Sequence, residues 1–139
     1  MSVLRTEVVV RPSDIDQLGH VNNARYLEYL EWGRVRWYQS HPSLLSPDVN
    51  FAVASIHINY RREVKLDARL TVLTGLVRVG NSSITFRQEI VDEEGQRVAD
   101  AEVVAVYFHT GLRKSVPFPA ELRAQLEAKR VDVSQFESR

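Results

Sequence analysis

Ser13-Asp14-Ile15-Asp16-Gln17-Leu18-Gly19-His20-Val21-Asn22-Asn23-Ala24-Arg25-Tyr26-Leu27-Glu28-Tyr29-Leu30-Glu31 is the stretch on which the architecture turns. Ser13 to Val21 is a loop with two aspartates and a glycine. Asn22 or Asn23 then supplies a helix N-cap, because an asparagine side chain can accept a free backbone N–H. The helix is expected to run to about Ser40, since Pro42 forbids much continuation. At 100° per residue Tyr26, Leu30, Gly33 and Trp37 share one stripe, flanked by Leu27 and Tyr29. Gly33 in mid-helix costs about 1 kcal/mol relative to alanine, which a close approach of the helix to a sheet would explain. Trp32 and Val35 lie off the stripe and suggest a second apolar surface, as on a helix wrapped by a curved sheet or lying near a subunit contact.

Outward from this segment the pattern is extended. Val8-Val9-Val10 sits in a strand over 3–11, stopped by Pro12. After Pro47 the period becomes two: Ile56, Ile58 and Tyr60 alternate with His57, Asn59 and Arg61. Leu70 to Val79 is a further strand, with Gly75 as a candidate bulge. Val79-Gly80-Asn81-Ser82 is a tight turn leading into the run of Ile84, Phe86 and Ile90. Asp92-Glu93-Glu94-Gly95-Gln96 is another turn, and Val98 to His109 a last long strand. Ala120 to Lys129 is expected to be a short helix, and the polar tail 131–139 to fray. Strand, long helix, four strands and short helix make an α+β order. One helix of this length cannot cover both faces of a flat five-stranded sheet. The sheet is expected to curl around it, leaving its other face to pair with another subunit.

Composition narrows the function. The 139 residues suit one domain, residues 1–139, and 44% hydrophobic with 26% charged residues is ordinary globular content. There is no cysteine, which removes disulfides, thiol catalysis and thiolate metal sites. Eighteen basic residues balance eighteen acidic ones, so no global field invites nucleic acid or an anionic membrane. No apolar run approaches the roughly 18 residues needed to span a bilayer, and Met1 to Glu7 lacks the apolar core of a signal peptide. A cytoplasmic location is the expectation. The histidines have no metal-ligand spacing, so no metal site is expected.

The loop-to-helix junction carries the chemistry. A carboxylate pair stands just before a helix N-terminus, whose unpaired N–H groups and positive potential would polarise a carbonyl and hold an oxyanion. A carboxylate there can activate water or attack directly. An aspartate before a helix is also a common cap or Asx-turn residue, and spacing alone leaves both readings open. Glu31, two turns in, reads as half of a surface ion pair.

The wording of the segment goes further. Asp16…Gly19-His20-Val21-Asn22-Asn23…Tyr26-Leu27…Leu30-Glu31 resembles the opening signature of the hotdog-fold acyl-CoA thioesterases of the 4-hydroxybenzoyl-CoA thioesterase type, and most closely their long-chain acyl-CoA branch. The resemblance extends over about 3–119. It implies a hotdog fold, a long central helix wrapped by a curved five-stranded antiparallel sheet. It implies hydrolysis of a fatty or aromatic acyl-CoA to free acid and coenzyme A, with Asp16 as nucleophile or general base. The backbone N–H of Asn23 would be the oxyanion donor, and His20 would stand beside the thioester. Gly19, Val21 and Tyr26 of the same motif would line the substrate site, while Asp14 is read as holding the loop. Arg113-Lys114-Ser115 before Pro117 resembles a family ending whose basic residues lie near the nucleotide. Ser82 and Ser83 match a segment that can approach coenzyme A. Arg61 and Arg62, neighbours in an extended run, are expected on opposite faces, one toward the site. No cofactor is implied beyond coenzyme A as part of the substrate. A homodimer, paired further into a tetramer, is implied, with sites between subunits. Two other functions fit the same fold. One is a non-catalytic acyl-CoA-binding module. The other is an enoyl-CoA hydratase or dehydratase, whose Asp–x–Asn–Pro–x–His segment is missing here, since Asp16 and His20 are four apart with no proline between them.

Overall fold

A computed structural model describes residues 3–138. The chain runs β1 (Leu4–Val9), α1 (Asn23–Gln39), β2 (Val49–Tyr60), β3 (Arg69–Val79), β4 (Ser83–Val91), β5 (Arg97–His109), the two-residue β6 (Lys114–Ser115) and α2 (Ala120–Ala128), with short 3₁₀ turns at Pro12–Asp14, Pro42–Leu44 and Val133–Ser138. The sheet is antiparallel in the order β1-β3-β4-β5-β2, and β6 adds to β5. This is the α+β arrangement expected from the sequence.

Helix α1 begins where the asparagines predicted: the Asn22 side chain accepts the Ala24 N–H at 2.9 Å. Tyr26, Leu30, Gly33 and Trp37 are all buried against the sheet. A β-carbon on Gly33 would lie 2.7 Å from Thr74 Oγ1 and Val72 Cγ1, so the glycine is the point of closest approach. The helix is not wrapped all round. Trp32 is 45% exposed and Val35 only half-buried, so the second apolar surface faces outward beside β1. Two apolar clusters lie between helix and sheet. One gathers Tyr26, Tyr29 and Leu30 with Val72 and Ile90, and the other gathers Trp37 with Phe86, Val103 and Tyr107. The aromatic residues around Trp37 thus belong to core packing at the C-terminal end of α1.

Three sequence expectations are corrected. The irregularity in β3 falls between Leu76 and Arg78, not at Gly75. Gly75 instead makes room for the C-terminal segment, since a β-carbon there would meet Val131 Cγ2 at 2.7 Å and Phe136 Cζ at 3.0 Å. For the same reason the tail does not fray. Val131 and Phe136 are buried with Leu73 and Val91 on the face of the sheet opposite α1, and the Val131 N–H bonds the Leu76 carbonyl at 2.8 Å; Arg139 lies outside the described residues. Two apolar side chains in a polar tail have no periodicity to announce them. The chain's own end therefore covers part of the face that was expected to await another subunit. No described helix is long and apolar enough to cross a membrane.

Candidate active site

The loop between β1 and α1 is held from inside by Asp14. Its side chain is fully buried; Oδ2 accepts the Arg11 N–H at 3.0 Å and the Tyr29 hydroxyl at 2.8 Å, and its carbonyl accepts the Asn22 N–H. Burial pushes this carboxyl up. The two hydrogen bonds and the Arg11 and Arg25 guanidiniums outweigh burial and hold it below the ordinary carboxylate range. The Tyr29 hydroxyl is pushed up by its burial and by the same carboxylate. Asp14 is thus an anchor, as the sequence suggested.

Asp16 points the other way. Its Oδ1 accepts the Leu18 N–H at 2.9 Å and the His20 N–H at 3.3 Å. The Asx-turn reading of this aspartate is therefore realised, but by one oxygen. No described residue donates to Oδ2. The loop closes through Asp16 N–H to the His20 carbonyl, and Gly19 takes φ +83° to turn it. Val21 is buried and ties the loop to the Val64 carbonyl at 2.8 Å.

A cleft of about 460 Å³ opens here, lined by Asp16, His20, Val21, Asn23, Tyr26 and Arg61 together with Leu18, Asn22, Tyr60, Arg62 and Glu63. At its floor is the first turn of α1. The Ala24 N–H is taken by the cap and the Asn22 N–H by Asp14, while no described acceptor meets the Asn23 N–H. Asp16 and the first residue of α1 thus line one cavity, close to the positive end of the helix dipole. His20 Nε2 lies 2.9 Å from Glu63 Oε2, and the Tyr60 hydroxyl donates to the Asn23 carbonyl at 3.1 Å. The sequence reading missed both partners. They stand some forty residues downstream, past any local pattern, and only the end of the alternating run at Tyr60 hinted at a turn back toward the helix.

The arginines differ from expectation. Both Arg61 and Arg62 line the cleft, because β2 ends at Tyr60 and strand alternation no longer applies. Arg61 is also spoken for: its guanidinium grips Asp100 at 2.7 and 3.3 Å. Burial raises the Asp100 carboxyl, and Arg61 and Asn59 more than reverse that. Among the described residues Glu31 makes no ion pair; the exposed pair of α1 is Arg25–Glu28 at 2.8 Å.

Ser82, Ser83, Arg113 and Lys114 do not reach the cleft in this chain. Tyr60 pairs Ala99 at the cleft end of β5, whereas Lys114 pairs His109 at the other end, ten residues or about 33 Å along the strand. The two groups do meet each other there. The Arg113 N–H bonds the His109 carbonyl, and the Tyr107 N–H bonds the Ser82 carbonyl. Among the described residues no cluster of histidine and carboxylate side chains has the makings of a metal site.

The chain is similar to known proteins over most of its length. The family model of the thioesterase-like superfamily matches residues 10–126. The long-chain acyl-CoA thioesterase FadM of Escherichia coli (strain K12) is 36% identical over 128 residues, covering 89% of this chain and 97% of the relative. The acyl-CoA thioester hydrolase YbgC of Escherichia coli O6:H1 is 28% identical over 109 residues, 76% of this chain and 81% of the relative. Among solved structures, YbaW from Escherichia coli, described as a probable thioesterase, superposes with a TM-score of 0.77 at 35% identity, covering 92% of this chain and 99% of that one.

Proposed function

This chain belongs to the thioesterase-like superfamily, and we propose that within it the protein hydrolyses the thioester of a fatty or aromatic acyl-CoA to free acid and coenzyme A. The observation that carries the proposal is the single cleft lined by both Asp16 and Asn23, whose Oδ2 and N–H respectively are engaged by no described side chain or backbone group. The names of FadM and YbgC support the substrate class.

The chemistry follows from the positions. Leu18 and His20 N–H groups fix Oδ1, so the carboxylate keeps one orientation and presents Oδ2. Oδ2 takes a proton from water as the water oxygen attacks the thioester carbon, or attacks that carbon itself to form an anhydride that water then opens. Either way the carbonyl oxygen becomes an oxyanion at the Asn23 N–H, where the helix end stabilises it. The C–S bond then breaks and coenzyme A leaves as a thiolate that gains a proton. His20, held by Glu63, stands beside this path. The reaction is downhill and calls on no cofactor.

We place the coenzyme A contacts across a dimer. β2 is a sheet edge with Val53, Ile56 and Tyr60 exposed, a surface suited to pairing with a second copy. Antiparallel pairing about a two-fold axis sets the Tyr60 end of one chain beside the Val49 end of the other. That end carries His109, Arg113 and Lys114, so the basic loop of the second copy approaches the Asp16 cleft. A tetramer is proposed as two such dimers.

Replacing Asp16 with asparagine tests the reaction. Asp16→Asn keeps the shape and the Oδ1 acceptor, and turnover of acyl-CoA followed by thiol release should fall about 10²–10⁴-fold with melting unchanged. Full activity in this variant would refute the role. Acyl-CoA binding without turnover in the unaltered protein would point to a binding module instead.

A further inference from the structure

The strand at the other end of the sheet is unused by anything described above. β1 pairs only with β3 among the described strands, so one row of its backbone N–H and C=O groups faces outward. Its side chains alternate strictly. Leu4, Thr6 and Val8 turn toward the helix side, and Arg5, Glu7 and Val9 are exposed. Beside this edge runs a groove of about 480 Å³ between β1 and α1, lined by Arg5, Thr6, Glu7, Trp32 and Arg36. The half-exposed Trp32 lies there with the Arg36 guanidinium 5.9 Å from its ring centre. Thr6 is 7% exposed, and its Oγ1 is buried with no hydrogen-bond partner. A buried hydroxyl left unpaired is costly, and it lies beneath this edge rather than in the groove.

We propose that the β1 edge is a second self-complementary docking surface, on which another copy of this chain lays its own β1 antiparallel about a two-fold axis at Thr6. In that register Thr6 faces Thr6, Arg5 faces Glu7 of the second copy, Glu7 faces its Arg5, and Leu4 faces Val8. Two opposite-charge pairs form on the exposed face, and the two threonines stand side by side on the other. The alternatives fail on the same residues. An axis at Arg5 or at Glu7 sets like charges face to face, and a one-residue slip turns the apolar row to the wrong side. An edge carrying only one sign of charge would repel its copy; this edge attracts it in one register. A six-residue strand gives a small contact, so the association is weak and concentration-dependent. It is independent of the β2 pairing, which uses the opposite edge, and joins chains or β2-paired dimers end to end.

Charge exchange tests the register. The weight-average mass of the full chain is followed by sedimentation over a wide concentration range, alongside Arg5→Glu and the double exchange Arg5→Glu/Glu7→Arg. The unaltered chain is expected to gain mass with concentration beyond that reached by Arg5→Glu, whose like-charge pairs weaken association on the order of tenfold. The double variant, with both pairs restored in reverse, is expected to regain the mass of the unaltered chain. Circular dichroism of each variant guards against misfolding. Equal masses for the unaltered chain and Arg5→Glu would overturn the proposal. A double variant that stays as small as the single one would overturn it too.

Discussion

Replacing Gly33 with alanine sets two effects of known sign against each other. On helix propensity alone the change should stabilise the chain by about 1 kcal/mol. The packing says otherwise. The new β-carbon would lie 2.7 Å from both Thr74 Oγ1 and Val72 Cγ1 and 3.0 Å from Gln88 Nε2, against 3.4 Å for ordinary contact. α1 would have to lift by about 0.7 Å, since the contacts are too short for the dispersion well by that much. None of the three neighbours can give easily. Thr74, Val72 and Gln88 are fully buried. Gln88 is further pinned between the Leu30 carbonyl, the Thr74 hydroxyl and the buried Arg34 guanidinium. Overpacking of this kind costs about 1–3 kcal/mol, and here both backbone elements and a polar network resist, so the upper end applies. The net expectation is a loss of about 2 kcal/mol, read as a lower urea midpoint with unchanged slope. The lift also shifts the Asn23 N–H relative to the Asp16 loop, which is tied to the helix by the Tyr29–Asp14 bond but also to the Val64 carbonyl through Val21. Since a misplacement near 1 Å can cost about 100-fold, kcat should drop about tenfold. A Gly33→Ala protein as stable as its parent, or more so, would refute the close-approach argument.

Acid stability offers a second check. Asp14 is held below its ordinary value of 3.8, so its contribution is present above that value and is lost as pH falls through the lower folded value. Asp14→Asn should cost about 2–3 kcal/mol near neutrality, where a buried charge-assisted pair of bonds disappears, and less at pH 3 or so; urea titrations that give the same difference at both pH values would contradict it. Dimer geometry can be tested by complementation. Mixed dimers of Asp16→Asn with Arg113→Ala/Lys114→Ala hold one site with every contact intact, so random mixing should return about one quarter of full activity on a coenzyme A thioester at low concentration. No recovery would refute a site shared between Asp16 of one chain and the basic loop of the other.

The elements that could be read from the chain are those whose cause is local. Asn22 caps because its own side chain reaches two residues on, and the Gly33 stripe is a matter of helical period. The turns at Gly80 and Gly95 need no distant partner to be recognised. What escaped reading depends on the partner. Gly75 looks the same whether it marks a bulge or admits Phe136, and the difference is made by a residue about sixty positions away. Arg61 could be expected near the site, but not that Asp100, on the neighbouring strand β5, would claim its guanidinium.

Asp16 shows why a bland reading and a chemical one need not compete. A turn needs one acceptor and a carboxylate has two oxygens. Oδ1 satisfies the loop exactly as any capping aspartate does, which is why spacing alone could not separate the cases. Asparagine or serine could serve that turn as well. The second oxygen has no structural employment among the described residues, and Asp16 lines the same cleft as Asn23, whose N–H is equally without one. Two groups of opposite character, both open to solvent, are thus left free for a ligand by the fold. In the proposed reaction a thioester carbonyl placed between them would meet an attacking side and a stabilising side at once.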